Sequence, residues 1–79
     1  MSTATTELNR KATRAGVTKE TFGQYMNIAR RFQGLNLLDR AATSAQHALR
    51  VHADWPHLFG DVKPDTLNVA RRMADGERP

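Results

Sequence analysis

The sequence has no cysteine and no long apolar run. Without cysteine, no disulfide can stabilise the 79 residues, which leave room for one small hydrophobic core. No stretch approaches the roughly 18 apolar residues of a membrane helix, and Met1–Thr6 lacks the pattern of a signal peptide. We therefore expect a soluble, cytoplasmic protein without a membrane partner, folded as one domain over residues 1–79 with disordered tails at 1–4 and 77–79.

The sequence also lacks any signal for β-structure. No window alternates polar and apolar residues as a half-buried strand requires, and β-branched residues do not cluster. Apolar residues instead recur at spacings of three and four, and glycines positioned as left-handed C-caps follow these stretches at Gly16, Gly34, Gly60 and Gly76. The pattern predicts an all-α fold, a small bundle of three long helices plus a short or frayed N-terminal helix.

The first two predicted helices differ in how much apolar surface they can bury. The first, at about 4–15, has only a thin stripe of Leu8, Ala12 and Ala15, so we expect it to fray or to form only on binding. The second is expected to have Thr18 as its N-cap. Its core face is predicted to consist of Phe22, Tyr25, Met26, Ile28, Ala29 and Phe32.

Gly23 interrupts the second helix, where glycine costs about 1 kcal/mol relative to alanine. It predicts either tight packing at the start of this helix or a close approach to its backbone.

The third predicted helix begins after Asn36, the expected N-cap, and its inner stripe is mostly alanine, which favours a central position against the second helix. That stripe comprises Leu38, Ala41, Ala42, Ala45, Ala48, Leu49 and His52. Trp55, Leu58 and Phe59 are expected to plug one end of the bundle. The fourth helix begins at Pro64, and its inner face is predicted to be Leu67, Ala70, Met73 and Ala74.

Residue patterns for catalysis are missing. The sequence has no glycine-flanked serine elbow and no glycine-rich phosphate loop, and its acidic residues are scattered. His47, His52 and His57 are spaced by five, which rotates successive side chains by about 140° on a helix and disfavours a shared metal. We therefore expect no catalytic residue, no metal site, no cofactor and no small-molecule substrate.

The positive charge is concentrated in the first half of the chain. Residues 1–40 carry seven basic and three acidic side chains, a net charge of +4, whereas residues 41–79 carry five of each. A localised excess of arginine and lysine favours a polyanionic partner such as DNA. The predicted DNA-binding residues are Arg10, Lys11, Arg14, Lys19, Thr21, Gln24, Asn27, Arg30 and Arg31. They would form one strip if the first two helices pack together, and a solvated face with a few ion pairs stays open as the alternative.

One run of the sequence resembles a known family. In Val17–Phe32, Thr18, Thr21, Tyr25, Ala29 and Phe32 fit the opening helix of the SAM-like, core-binding N-terminal domain of tyrosine recombinases and phage integrases. The stretch from Asp61 to Gly76 is similar to a later helix of that domain. The segment between Gln33 and Gly60 is longer than the family's linker, and the catalytic arginines and tyrosine have no counterpart. The resemblance implies a DNA-binding module without strand-exchange activity.

A protein–protein interaction module of a mobile genetic element is the alternative function. Exposed members of the cluster Trp55, Leu58 and Phe59 would then anchor an acidic partner surface or a homodimer. Arg71 and Arg72 form a second, smaller basic candidate, weakened by the nearby acid Asp75.

Overall fold

Four helices and one short 3₁₀ turn make up the fold. The computed structural model describes residues 3–76. The helices are α1 (Thr3–Arg14), α2 (Thr21–Gly34), α3 (Leu38–Asp54) and α4 (Pro64–Ala74), and the 3₁₀ turn η1 (Pro56–Leu58) lies between the last two. No strand occurs in this described part of the chain, so the prediction of an all-α fold is confirmed.

The helix lengths differ from the prediction. The N-terminal helix α1 has 12 residues and α4 has 11, so the contrast between three long helices and one short helix is wrong. Helix α1 begins at Thr3, inside the segment 1–4 predicted as a tail. Residues 1–2 and 77–79, the rest of the predicted tails, lie outside the described residues. None of the helices between residues 3 and 76 has the length and apolarity to cross a membrane.

Helix α3 is the centre of the fold, because both α2 and α4 pack against it. Its alanine face is buried at Ala41, Ala45 and Ala48. Ala29 of α2 and Ala70 of α4 are completely buried in the same core. Small side chains at a helix contact let the backbones approach closely. The predicted alanine stripe of α3 is therefore the surface against which α2 and α4 pack.

Larger side chains complete the core around the alanine stripe of α3. Phe22 and Met26 of α2 and Met73 of α4 are buried, and so is Phe59, just after η1. The rings of Phe22 and Phe59 lie 6.0 Å apart between centroids. Phe59 also lies 6.1 Å from the His52 ring, so it packs where α2 begins and α3 ends.

Helix α1 is attached to this core through a small contact. Among its side chains from residue 6 onward only Ala12 is buried, together with Val17 in the following turn, whereas Leu8 and Ala15 are exposed. The molecule measures 44 × 23 × 15 Å, and its radius of gyration of 13.5 Å exceeds the about 12 Å of a compact domain this size. We call Thr3–Arg14 the α1 arm.

Two glycines end helices as predicted. Gly16 and Gly76 have φ angles of 78° and 81°, the left-handed conformation that glycine adopts without strain. Gly34 and Gly60 do not have this conformation. The prediction of glycine C-caps is thus right at two of its four positions.

Asn36 terminates α2 instead of capping α3, so its predicted role is wrong. Its φ of 60° is left-handed. The Asn36 amide donates to the Gln33 carbonyl at 3.0 Å, and the Leu37 amide donates to the Phe32 carbonyl at 2.9 Å. These two bonds form a Schellman motif, in which asparagine can replace glycine because it tolerates the left-handed region. Gly34 consequently lies within α2.

Neither predicted reason for Gly23 holds. A β-carbon built on Gly23 would meet no atom within 4 Å, so this glycine is neither tightly packed nor approached by another backbone. Its position on the exposed flank of α2 explains the open space.

The two kinds of glycine predict opposite effects of alanine. Gly23→Ala should stabilise the fold by about 1 kcal/mol, because the site is open and helical. Gly16→Ala should destabilise it by about 1 to 2 kcal/mol, because alanine is strained at positive φ. Urea unfolding followed by circular dichroism measures both, and a loss of stability in Gly23→Ala would contradict the open site.

Candidate nucleic-acid interface

The α1 arm presents two arginines on its outer side. Arg10 and Arg14 are one helical turn apart, on the side opposite the buried Ala12, and both are exposed. Together with Asn9 and Thr13 they border a shallow depression along the helix. Lys11 is also exposed, on the flank of the arm.

Hydroxyl groups shape the turn before α2. The Thr18 amide donates to the Thr21 hydroxyl at 2.9 Å, and the Thr18 hydroxyl donates to the Glu20 carboxylate at 2.8 Å. The Glu20 amide donates to the Thr18 hydroxyl at 3.4 Å. Thr18 therefore organises the turn that leads into α2, but the N-cap position belongs to Glu20, so the prediction of Thr18 as N-cap is wrong. Lys19 lies exposed between them.

Thr21 must be removed from the predicted DNA-binding residues. Its side chain is buried, and its hydroxyl oxygen accepts a hydrogen bond from the Thr18 amide. The sequence suggested it as a contact to base edges because its hydroxyl can donate and accept hydrogen bonds.

The pKa of Glu20 is lowered from its ordinary value. The hydrogen bond from the Thr18 hydroxyl is the main cause, and a backbone hydrogen bond and the nearby Lys19 charge act in the same direction. Since the folded-state pKa is depressed, the resulting stabilisation is present above the unfolded-state pKa and is lost as the pH falls through the folded-state value.

The outer side of α2 carries three of the predicted contacts. Gln24, Asn27 and Arg31 are exposed and follow spacings of three and four, which place them on one helical face. Amide side chains beside an arginine can donate to and accept from base edges or phosphates. This face points away from the core residues Phe22 and Ala29.

Arg30 lies on a neighbouring surface that shares Asn27 with the outer face of α2. It lines a shallow depression between α2 and the start of α4, with Asn27, Lys63 and Thr66 among the other lining residues. The sequence did not indicate Lys63 and Thr66, because they are more than thirty positions from Arg30 in the chain. The only signal was the placement of Lys63 directly before Pro64, at a helix start.

The predicted strip is therefore divided. It required α1 to pack along α2, but the extensive helix contacts are those of α3 with α2 and α4. The structure groups Arg10 and Arg14 on the α1 arm, and Arg31 with Gln24 and Asn27 on the outer side of α2.

The predicted basic contacts have no salt-bridge partner among the described side chains, and the nearest electrostatic effect is that of Lys19 on the pKa of Glu20. Within residues 6–76, none of the six basic side chains from Arg10 to Arg31 forms an ion pair. Residues 1–31 hold six basic and two acidic side chains, so the whole net charge of +4 arises there. The ion pairs of the alternative are not observed among the described side chains, and a solvated face without a DNA partner stays open.

The histidines occupy separate environments. His47 is exposed and stacks on Tyr25, with 5.4 Å between ring centroids, whereas half-buried His52 lies near the rings of Phe22 and Phe59. No group of three or more potential metal ligands comes together among residues 3–76.

The cluster Trp55, Leu58 and Phe59 offers less surface than the interaction hypothesis assumed. Phe59 is buried in the core and cannot anchor a partner, while Trp55 and Leu58 are half-buried. On α4, Arg71 donates to the Asn68 side chain at 3.2 Å, and Arg72 is exposed.

Comparison with known proteins finds no family model, curated protein or solved structure that matches this chain. The resemblance to recombinase core-binding domains therefore stays a prediction.

Removing the Thr18 hydroxyl should raise the pKa of Glu20. In Thr18→Ala, the pKa of Glu20 should rise towards its ordinary value, because the principal hydrogen bond to its carboxylate is lost. Thr18→Ser should keep the depressed pKa. NMR titration of the Glu20 side chain measures both, and an unchanged pKa in Thr18→Ala would exclude this hydrogen bond as the main cause.

Proposed function

We propose that the protein is a small, non-catalytic DNA-binding module whose first two helices contact duplex phosphates. The observation that carries the proposal is the group of exposed basic side chains without acidic partners on the α1 arm and the outer side of α2. Such uncompensated charge releases counterions from DNA on binding, which is the main source of sequence-independent affinity.

The α1 arm is suited to follow a phosphate backbone. Arg10 and Arg14 lie one turn apart, about 6 Å along the helix axis, on a side that the core leaves free. Arginine presents a planar fork of donors that matches phosphate oxygens. The small contact of the arm at Ala12 and Val17 would let it adjust to a duplex without disturbing α3.

The outer face of α2 would supply the second set of contacts. Arg31 would bind phosphate, and Gln24 and Asn27 are the side chains able to reach base edges. The resemblance of Val17–Phe32 to the opening helix of recombinase core-binding domains points to the same helix and to a mobile-element origin. The proposal assigns no catalytic residue, cofactor or small-molecule substrate.

The salt dependence of duplex binding tests this function. For the full chain and a short duplex, log Kd measured by fluorescence anisotropy should rise steeply and linearly with log salt, because each neutralised phosphate contributes about 0.9 to the slope. An absence of binding at low salt, or a flat salt response, would contradict phosphate contacts.

Charge-neutralising pairs locate the contacts. Arg10→Gln with Arg14→Gln should weaken binding and reduce the salt slope by about two, because two phosphate contacts are lost. The matched control is Arg71→Gln with Arg72→Gln on α4, which removes the same charge and should leave the slope nearly unchanged. Equal effects of the two pairs would indicate a response to net charge alone.

A further inference from the structure

The core leaves one side of α2 uncovered. Tyr25, Ile28, Phe32 and Leu35 follow spacings of three and four, and we call these four residues the α2 stripe. Tyr25 and Phe32 are half-buried, while Ile28 and Leu35 are 42% and 65% exposed. The sequence predicted Tyr25, Ile28 and Phe32 as core, but α3 covers only part of this face. Adjacent exposed apolar groups on a small domain mark an interaction surface.

Helix α3 gives the α2 stripe a polar border. The Arg40 guanidinium lies 5.9 Å from the centroid of the Phe32 ring, and His47 stacks on Tyr25. Phe32, Arg40 and His47 line one shallow depression between the two helices. The surface therefore combines an apolar floor with hydrogen-bonding groups at its edge.

The charge at this border determines what can bind. Arg31 and Arg40 are exposed beside the stripe, against the single acid Asp39, so the border is net positive. A second copy paired through the same stripe would bring its own Arg31 and Arg40 towards these arginines. Like charges at a contact oppose association, and opposite charges favour it. The occupant that complements the stripe is apolar on one side and acidic on the other.

We propose that the α2 stripe binds an acidic amphipathic helix of a partner protein. The partner's apolar residues would pack on Ile28, Phe32 and Leu35, and its carboxylates would pair with Arg31 and Arg40. From Tyr25 to Leu35 the stripe is about 15 Å long, which matches about three turns of a helix. The inference rests on the apolar residues of α2, and Arg31 is the residue that it shares with the proposed DNA contacts.

A designed peptide pair tests the proposal. The first peptide is a helix with leucines on one side and glutamates on the other, and the second has lysines in place of the glutamates. Isothermal titration with the full chain should show binding of the glutamate peptide, and at least about tenfold weaker binding of the lysine peptide. Absence of binding by the glutamate peptide, or equal binding of both, would overturn the proposal.

Matched variants locate the binding surface. Ile28→Ser should weaken binding of the glutamate peptide about tenfold or more. Val69→Ser on α4, at a similarly exposed position, should leave that affinity unchanged. Arg40→Gln should also weaken binding. Because both serine sites are solvent-exposed, the two variants should keep the circular dichroism spectrum of the unmodified chain. Equal losses in Ile28→Ser and Val69→Ser would overturn this location.

Two other occupants have their own signatures. Sedimentation of the unmodified chain as a dimer that Ile28→Ser dissociates would assign the stripe to a second copy. Binding to vesicles of anionic lipid that depends on Ile28 and Leu35, without binding of the glutamate peptide, would assign it to a membrane surface. Either result would overturn the proposed partner. A monomer that binds the glutamate peptide but does not bind vesicles supports it.

Discussion

The close packing of α2 and α4 against the alanine face of α3 is the constraint on which the rest of the structure depends. Ala45 and Ala48 of α3 and Ala29 and Ala70 of its neighbours are completely buried. With only a methyl group at each of these positions, the helix backbones can approach closely and lose little side-chain entropy. A larger side chain at Ala45 would push the helices apart, and the other buried contacts would separate with them.

The same packing decides which surfaces are left free. Helices α2 and α4 cover the alanine face of α3. Among the described side chains of the α1 arm, Ala12 is the one that is buried, and α2 is left exposed at Ile28 and Leu35. The consequence is two separate kinds of surface on a 79-residue chain, a basic one and an apolar one with a basic border. The proposed DNA contacts belong to the first and the proposed acidic partner to the second, and Arg31 borders both.

The sequence predicted the features that depend on local pattern. Apolar spacing located the helices and the inner faces of α3 and α4, and the glycine signal was right at Gly16 and Gly76. One error is local, because Asn36 ends α2 through its own left-handed conformation instead of starting α3. The others concern tertiary packing, because the burial of Thr21 and the exposure of Ile28 depend on where another element lies. The division of the basic residues has the same cause, since no pattern in α1 specifies what α1 packs against.

DNA binding by the basic residues of α1 and α2 is tested most directly by an NMR titration. The isotope-labelled chain is titrated with a short DNA duplex and followed at each backbone amide. If the basic residues of α1 and α2 bind DNA, the largest chemical-shift changes should occur in the α1 arm around Arg10 and Arg14 and on the outer side of α2 around Arg31. Changes along α4 should be small. Changes centred on α4, or none at low salt, would contradict the proposal that the unpaired basic residues bind DNA.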